Sequence, residues 1–219
     1  MNVVITGGNR GIGLALAKHY KARGDNVYVT CRNSCDELNS TGVTVIKGVD
    51  VSKPESLAET LAPLSDVNID LLINNAGVLG HETIDDWDPN TIDYQFRVNA
   101  LGPLLVTQVL LPSMSGSSKI AMITSRMGSM EDNGSGGYYG YRMSKAALNA
   151  VGVSLANDLR PKGIAVGLFH PGFVQTEMVN GNGDIDADTS AGLLVMRIDE
   201  LTIENTGRFI HSNGDVLPW

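Results

Sequence analysis

The chain has 219 residues, 42% of them hydrophobic and 18% charged, with a formal net charge of −8. That length allows one sizeable core and is short for two domains. The acidic balance argues against a nucleic-acid partner, which would want a basic face, and no apolar run approaches the ~18 residues of a membrane span. Two cysteines, Cys31 and Cys35, are too few for a disulfide framework. They lack the His/Cys company of a zinc site and read as reduced thiols, so no metal is expected. The chain opens on a strand-like run, Asn2-Val3-Val4-Ile5, which leaves no room for a signal peptide and makes a cytoplasmic protein the expectation.

In chain order, residues 2–6 predict a strand and 11–23 a helix, joined by Thr6-Gly7-Gly8-Asn9-Arg10-Gly11-Ile12-Gly13. Glycines at 7, 11 and 13 let the backbone turn sharply and approach a pyrophosphate facing the helix N-terminus. The bland alternative is a glycine turn that holds no ligand. The second strand, 26–31, ends in Val29-Thr30-Cys31-Arg32. An acid there would accept a hydrogen bond from the ribose 2′-hydroxyl of NAD; an Arg instead accommodates the 2′-phosphate of NADP, with Arg10 as a second contact. Arg32 as a solvated surface charge is the alternative.

Residues 32–42 are too short for a crossover helix, so a turn or stub is expected. Further strands are predicted at 43–48, 69–73, 119–124, 164–169 and 207–211, and helices at 54–64, 89–113, 138–160 and 187–202. Pro54 and Pro89 fit first helical positions. The strands are nearly continuous in apolar residues, as strands buried on both faces of a parallel sheet must be. The expected fold is therefore α/β, a doubly wound parallel sheet of about seven strands in one domain over 1–219.

Tyr141 and Lys145 lie four residues apart, on one face of a predicted helix. A free tyrosine titrates near pH ~10 and is a poor acid–base group at neutrality. A nearby ammonium, together with an oxidised nicotinamide, would favour the phenolate and lower that pKa. Tyr138 has only Arg142 one turn on, and a guanidinium substitutes poorly for a compact ammonium. His170 and His81 look isolated and structural, and Trp87 reads as a packing anchor.

Together these motifs resemble the short-chain dehydrogenase/reductase family from residue 2 to about 178. The resemblance extends to Asn74-Asn75-Ala76-Gly77, to Asn99, to Ser125 in Ile123-Thr124-Ser125, to Asp50-Val51, and to Pro171-Gly172-Phe173-Val174-Gln175-Thr176. It implies a Rossmann-type, NADP(H)-dependent enzyme reducing an aldehyde or ketone, or oxidising an alcohol in reverse. Ser125 would bond the substrate carbonyl, Tyr141 donate the proton, and Lys145 hold the nicotinamide ribose. Asn99 would support a water relay behind Lys145, or else be a buried structural amide. Gly7, Asn9, Arg10, Gly11, Ile12, Gly13, Arg32, Asp50, Val51, Asn74, Asn75, Ala76, Pro171, Gly172, Val174 and Thr176 would complete the cofactor site.

The short turn after the second strand and the terminal Leu217-Pro218-Trp219 are similar to the sniffer/C-factor carbonyl reductase branch. The resemblance also implies a homodimer or homotetramer built on the helices at 89–113 and 138–160. A catalytically idle NADP-binding signalling protein would lack Ser125, Tyr141 or Lys145, and an NAD-dependent alcohol dehydrogenase would lack Arg32. All four residues are present. The family usually separates its Ser and Tyr by about a dozen residues, whereas here they are 16 apart; Gly134-Ser135-Gly136-Gly137 offers a loop to absorb the difference.

Overall fold

Successive residues of a strand point to opposite faces, so a run that is apolar at every position buries both. The computed structural model describes residues 1–219 and shows this outcome. Seven strands form one parallel sheet in the order β3-β2-β1-β4-β5-β6-β7. They are β1 (Asn2–Thr6), β2 (Asn26–Cys31), β3 (Thr44–Lys47), β4 (Ile69–Asn74), β5 (Met114–Ile123), β6 (Ala165–His170) and β7 (Phe209–His211).

Val4, Leu72, Ile120 and Val166 bury one face beneath α3 (Pro54–Thr60), α5 (Gly102–Leu110) and α6 (Tyr139–Leu159). Val3, Ile5, Leu71 and Ile73 bury the other beneath α1 (Gly11–Ala22) and α7 (Ala187–Asp199). Leu72 is fully buried on a central strand. Leu72→Ala should destabilise the fold by ~2–5 kcal/mol through lost transfer energy and a residual cavity. A urea unfolding curve with an unchanged midpoint would contradict that packing.

The expected stub after β2 is the single turn α2 (Asp36–Asn39). Cys35 caps it, its Sγ accepting from the Leu38 amide at 3.4 Å and donating to the Asn9 carbonyl at 3.0 Å. Pro54 and Pro89 both occupy helix starts, and the Asp88 carboxylate accepts from the Asn90 amide at 3.0 Å.

Three expectations need correction. Residues 89–113 do not form one regular helix. α4 (Pro89–Phe96) passes through a π-helical turn, Arg97–Leu101, into α5 and a final 3₁₀ turn, Leu111–Ser113. Pro103 has no N–H to give the carbonyl of Asn99 four residues back, and its ring would crowd that carbonyl; a wider turn relieves both. β5 begins at Met114, five residues before the predicted start, with a register irregularity against Ile69 and Leu71. Trp87 anchors nothing: it is 57% exposed, beside Asp85, Asp86 and Asp88, which also stay at the surface. No helix is long and apolar enough to cross a membrane.

Candidate active site

In this strand order the chain reverses direction between β1 and β4, so the loops leaving their carboxyl ends part and open a crevice. A cavity of about 1010 Å³ lies there, at the upper end of the range for small-molecule sites. Its floor is tied across the two strands. Thr6 Oγ1 accepts from the amides of Asn75 (3.0 Å) and Ala76 (3.1 Å), while Asn75 Nδ2 donates to the carbonyls of Thr6 (3.0 Å) and Gly7 (3.1 Å).

The glycine turn has no room for side chains. A Cβ on Gly7, which sits at φ +66°, would lie 2.8 Å from Ala76 Cα, and one on Gly13 would lie 2.4 Å from Asn75 Nδ2. The first amides of α1 therefore stand bare at the cavity wall, where an anion satisfies both their hydrogen bonds and the helix dipole. Asn9, Arg10, Gly11 and Ile12 line the same end. Arg32 is exposed there, its Nη1 donating to the Tyr94 hydroxyl at 3.3 Å, with no carboxylate bonded to it. Asp50 and Val51 close the edge. Burial pushes the Asp50 carboxyl up, but hydrogen bonds from Ser52 hold it below its ordinary value. Arg10 differs from expectation: Glu177 engages its guanidinium at 2.8 Å, in an exposed pair that screening makes weak. These residues fit a dinucleotide carrying a pyrophosphate and an added phosphate.

At the other end the cavity is lined by Ser125, Tyr141, Lys145, Pro171, Gly172, Val174 and Thr176. Ser125 lies two residues past the end of β5, and its Oγ accepts from the Met127 amide at 3.1 Å, opening a 3₁₀ turn. Lys145 is buried without an acid partner; its Nζ donates to the Ile123 carbonyl at 2.9 Å and lies 5.7 Å from the Tyr141 ring centroid. Burial alone pulls its ammonium down to about 8.

Tyr141 behaves differently from the expectation of a lowered pKa. Burial pushes its phenol up to about 12, and the Ser125 hydroxyl only partly opposes this. Desolvation of the phenolate is the larger of the two effects. The group therefore stands as a neutral phenol at physiological pH, with its proton in place.

Two predicted residues do not line the cavity. Asn74 is buried and turns inward, its Nδ2 donating to Thr107 Oγ1 at 3.2 Å, because the last residue of β4 points into the core while Asn75 points to the crevice. Asn99, in the π turn, is fully buried. It accepts from the Val78 amide and donates to the Val78 carbonyl, both at 2.8 Å, and donates to Ser144 Oγ at 3.0 Å. It thus pins the loop after β4 to the helix that carries Tyr141 and Lys145.

The start of α6 also departs from the sequence. Tyr138 lies outside the helix at φ 52°, a strained value for a side chain of its size, and its ring packs edge-on against His81 at 5.4 Å. The buried carboxylate of Glu82 accepts from the Gly140 amide at 3.2 Å and from Gln95 Nε2, fixing this entry to the helix. Arg142 staples the glycine loop through the Gly137 carbonyl (3.2 Å) and Ser135 (2.8 Å), so the 16-residue spacing still brings Ser125 and Tyr141 to one cavity.

The pattern of the sequence missed Tyr94, Arg126 and His211. It also misjudged His170, which is neither isolated nor remote. Its ring stacks at right angles on His211, 4.7 Å between centroids, at the cavity wall. The signal available was its place immediately before Pro171-Gly172.

A parallel sheet with an anion cradle at its switch point defines a dinucleotide-binding α/β protein. The sequence model of the short chain dehydrogenases matches residues 1–185, and the chain belongs to that family. It is 37% identical, over 99% of both chains, to a 1-hydroxy-2-glutathionyl-2-methyl-3-butene dehydrogenase from Rhodococcus sp. strain AD45. It is 44% identical over 154 residues to C-signal of Myxococcus xanthus, covering 69% of this chain and 93% of that one. Its fold matches the NADPH-bound carbonyl reductase from chicken fatty liver with a TM-score of 0.90 and 29% identity, covering 100% of this chain and 98% of the other.

Proposed function

We propose that this single-domain chain is an NADPH-dependent reductase of an aldehyde or ketone, reversible toward the alcohol. The observation that carries the reading is one cavity with an anion cradle and Arg32 at one end and Ser125, Tyr141 and Lys145 at the other. NADPH, when bound, supplies a hydride from the nicotinamide C4 to the carbonyl carbon. The oxygen then gains negative charge, and Ser125 Oγ donates a hydrogen bond to it. Tyr141 gives its phenolic proton to the same oxygen, so the substrate leaves as an alcohol.

Lys145 holds the nicotinamide ribose and neutralises the phenolate as it forms. Asn99 positions this group through Val78 and Ser144, and a water relay behind Lys145 would resupply the proton. Val174 and Thr176, which line the cavity, would grip the carboxamide. Support comes also from the relatives: the chicken protein is an NADPH-bound carbonyl reductase, and the Rhodococcus protein is named for dehydrogenating a hydroxy compound. The name of the C-signal relative keeps a signalling role in view, but the intact Ser125, Tyr141 and Lys145 favour catalysis.

Initial rates with NADPH and with NADH on one aldehyde panel test the reading; no turnover with either would leave only a binding protein. Arg32→Asp should shift kcat/KM preference from NADPH toward NADH by more than tenfold, about 1.4 kcal/mol, which is modest for a lost charge-assisted pair plus a new repulsion. An unchanged NADPH/NADH ratio would place the phosphate elsewhere. We expect a homodimer or homotetramer paired through α4, α5 and α6, which sedimentation would check.

A further inference from the structure

The wall of the cavity beyond Ser125 carries an arrangement that hydride transfer does not use. Arg126 follows β5, His170 ends β6 and His211 ends β7, so adjacent parallel strands deliver three basic side chains to one place. All three line the cavity. His170 is only 6% exposed, yet its buried Nδ1 has no hydrogen-bond partner. His211 Nδ1 accepts from the Asn213 amide at 3.0 Å, so the neutral ring carries its proton on Nε2 as a donor.

Burial and the neighbouring guanidinium favour the uncharged form of both rings. Burial first, then His211 and Arg126, pull the His170 imidazole down to about 3, and burial and Arg126 likewise lower His211. Facing them are Lys145, a further cation, and the carboxylates Asp132 and Asp215. Asp132 is taken by Arg126 at 2.7 Å, in a half-exposed bridge, and Asp215 accepts from Asn213 Nδ2 at 2.8 Å. An anionic ligand would gain a charge-assisted bond from the Arg126 guanidinium and hydrogen bonds from uncharged imidazole N–H groups, all on one wall of the cavity. A neutral ligand would lack the charge-assisted bond to Arg126.

We propose that Arg126, His170 and His211 form an anion subsite that holds a carboxylate of the carbonyl substrate. The inference rests on the reading of the cavity as a carbonyl-reducing site and adds the class of substrate: oxo compounds bearing a carboxylate away from the reacting carbon. Arg126 supplies a guanidinium that Asp132 holds in place, His211 an Nε2–H donor, and His170 a buried ring whose Nδ1 has no partner within the protein.

Two measurements test it. The first compares kcat/KM for 3- and 4-formylbenzoate with the matching formylbenzamides, which keep the shape and remove the charge. The intact chain with NADPH should prefer the better carboxylate over its amide by at least tenfold, mainly through KM. Arg126→Gln and His211→Gln should each bring that ratio within threefold of unity; His170→Asn should do the same if it folds, and the two exposed-side variants keep the test alive if it does not. The second measurement is calorimetric titration of benzoate and benzamide into the chain saturated with NADP⁺, which needs no turnover. Benzoate should bind at least tenfold tighter, and the variants should abolish the difference.

Charge-selective binding without turnover of any aldehyde would sink the reductase reading and leave the subsite standing. Turnover with carboxylate and amide equal, or a preference that survives both Arg126→Gln and His211→Gln, overturns the subsite.

Discussion

Tyr141→Phe should lower reductase kcat at least a thousandfold while the chain keeps its fold and its NADPH affinity. The substitution removes one hydroxyl and keeps the ring, so packing at the start of α6 is preserved. What disappears is the only phenol in the cavity with an ammonium one helical turn on. A thousandfold corresponds to about 4 kcal/mol of transition-state stabilisation.

The same experiment discriminates among three tyrosines. Tyr138 also lines the cavity, but its left-handed backbone turns its ring onto His81, and Tyr139 lies outside the lining. Tyr138→Phe and Tyr139→Phe should each retain more than a tenth of parent activity with one aldehyde, with cofactor binding followed by NADPH fluorescence. A dead Tyr138→Phe beside an active Tyr141→Phe would move the proton donor three residues and refute the role given to Lys145.

Ser125→Ala should bind NADPH normally and lose about 10²–10³ in kcat, the usual cost of ~2.7–4 kcal/mol for removing one donor to an oxyanion. Its Oγ also accepts from Met127 N, so a small loss of stability accompanies the change. The kinetic effect should far exceed it, because the 3₁₀ turn is held in addition by the amides of Gly128 and Ser129. A kcat within threefold of the parent would make Ser125 a strand terminus only. Ser129 is a poor substitute: it is buried, accepts from the Asp132 amide at 3.0 Å, and does not line the cavity.

How far each feature could be read depended on the range of the interactions behind it. The strands, their parallel order and the glycine cradle were legible because period, turn chemistry and burial on two faces are written in neighbouring residues. Tyr141 and Lys145 were legible for the same reason, four residues apart on one helix. The inward turn of Asn74 was not, although strand alternation decides it, because the family motif names both asparagines without saying which faces the crevice.

The neutral state of Tyr141 could not be read either. Spacing shows that an ammonium is near, but burial, which raises the phenol, depends on how the whole cavity closes around the ring. The pairing of His170 with His211 joins residues 41 apart in sequence through the register of β6 on β7. The π turn at Asn99 answers to Pro103, a local cause, yet its use in clamping Val78 to Ser144 needs three separate elements. By itself the sequence determined the parallel sheet, the glycine turn and the placing of Tyr141 and Lys145 on one helix. Only the tertiary structure decided how far Tyr141, Lys145 and His170 are desolvated and that Arg126, His170 and His211 share one wall, because both depend on which distant strands end side by side.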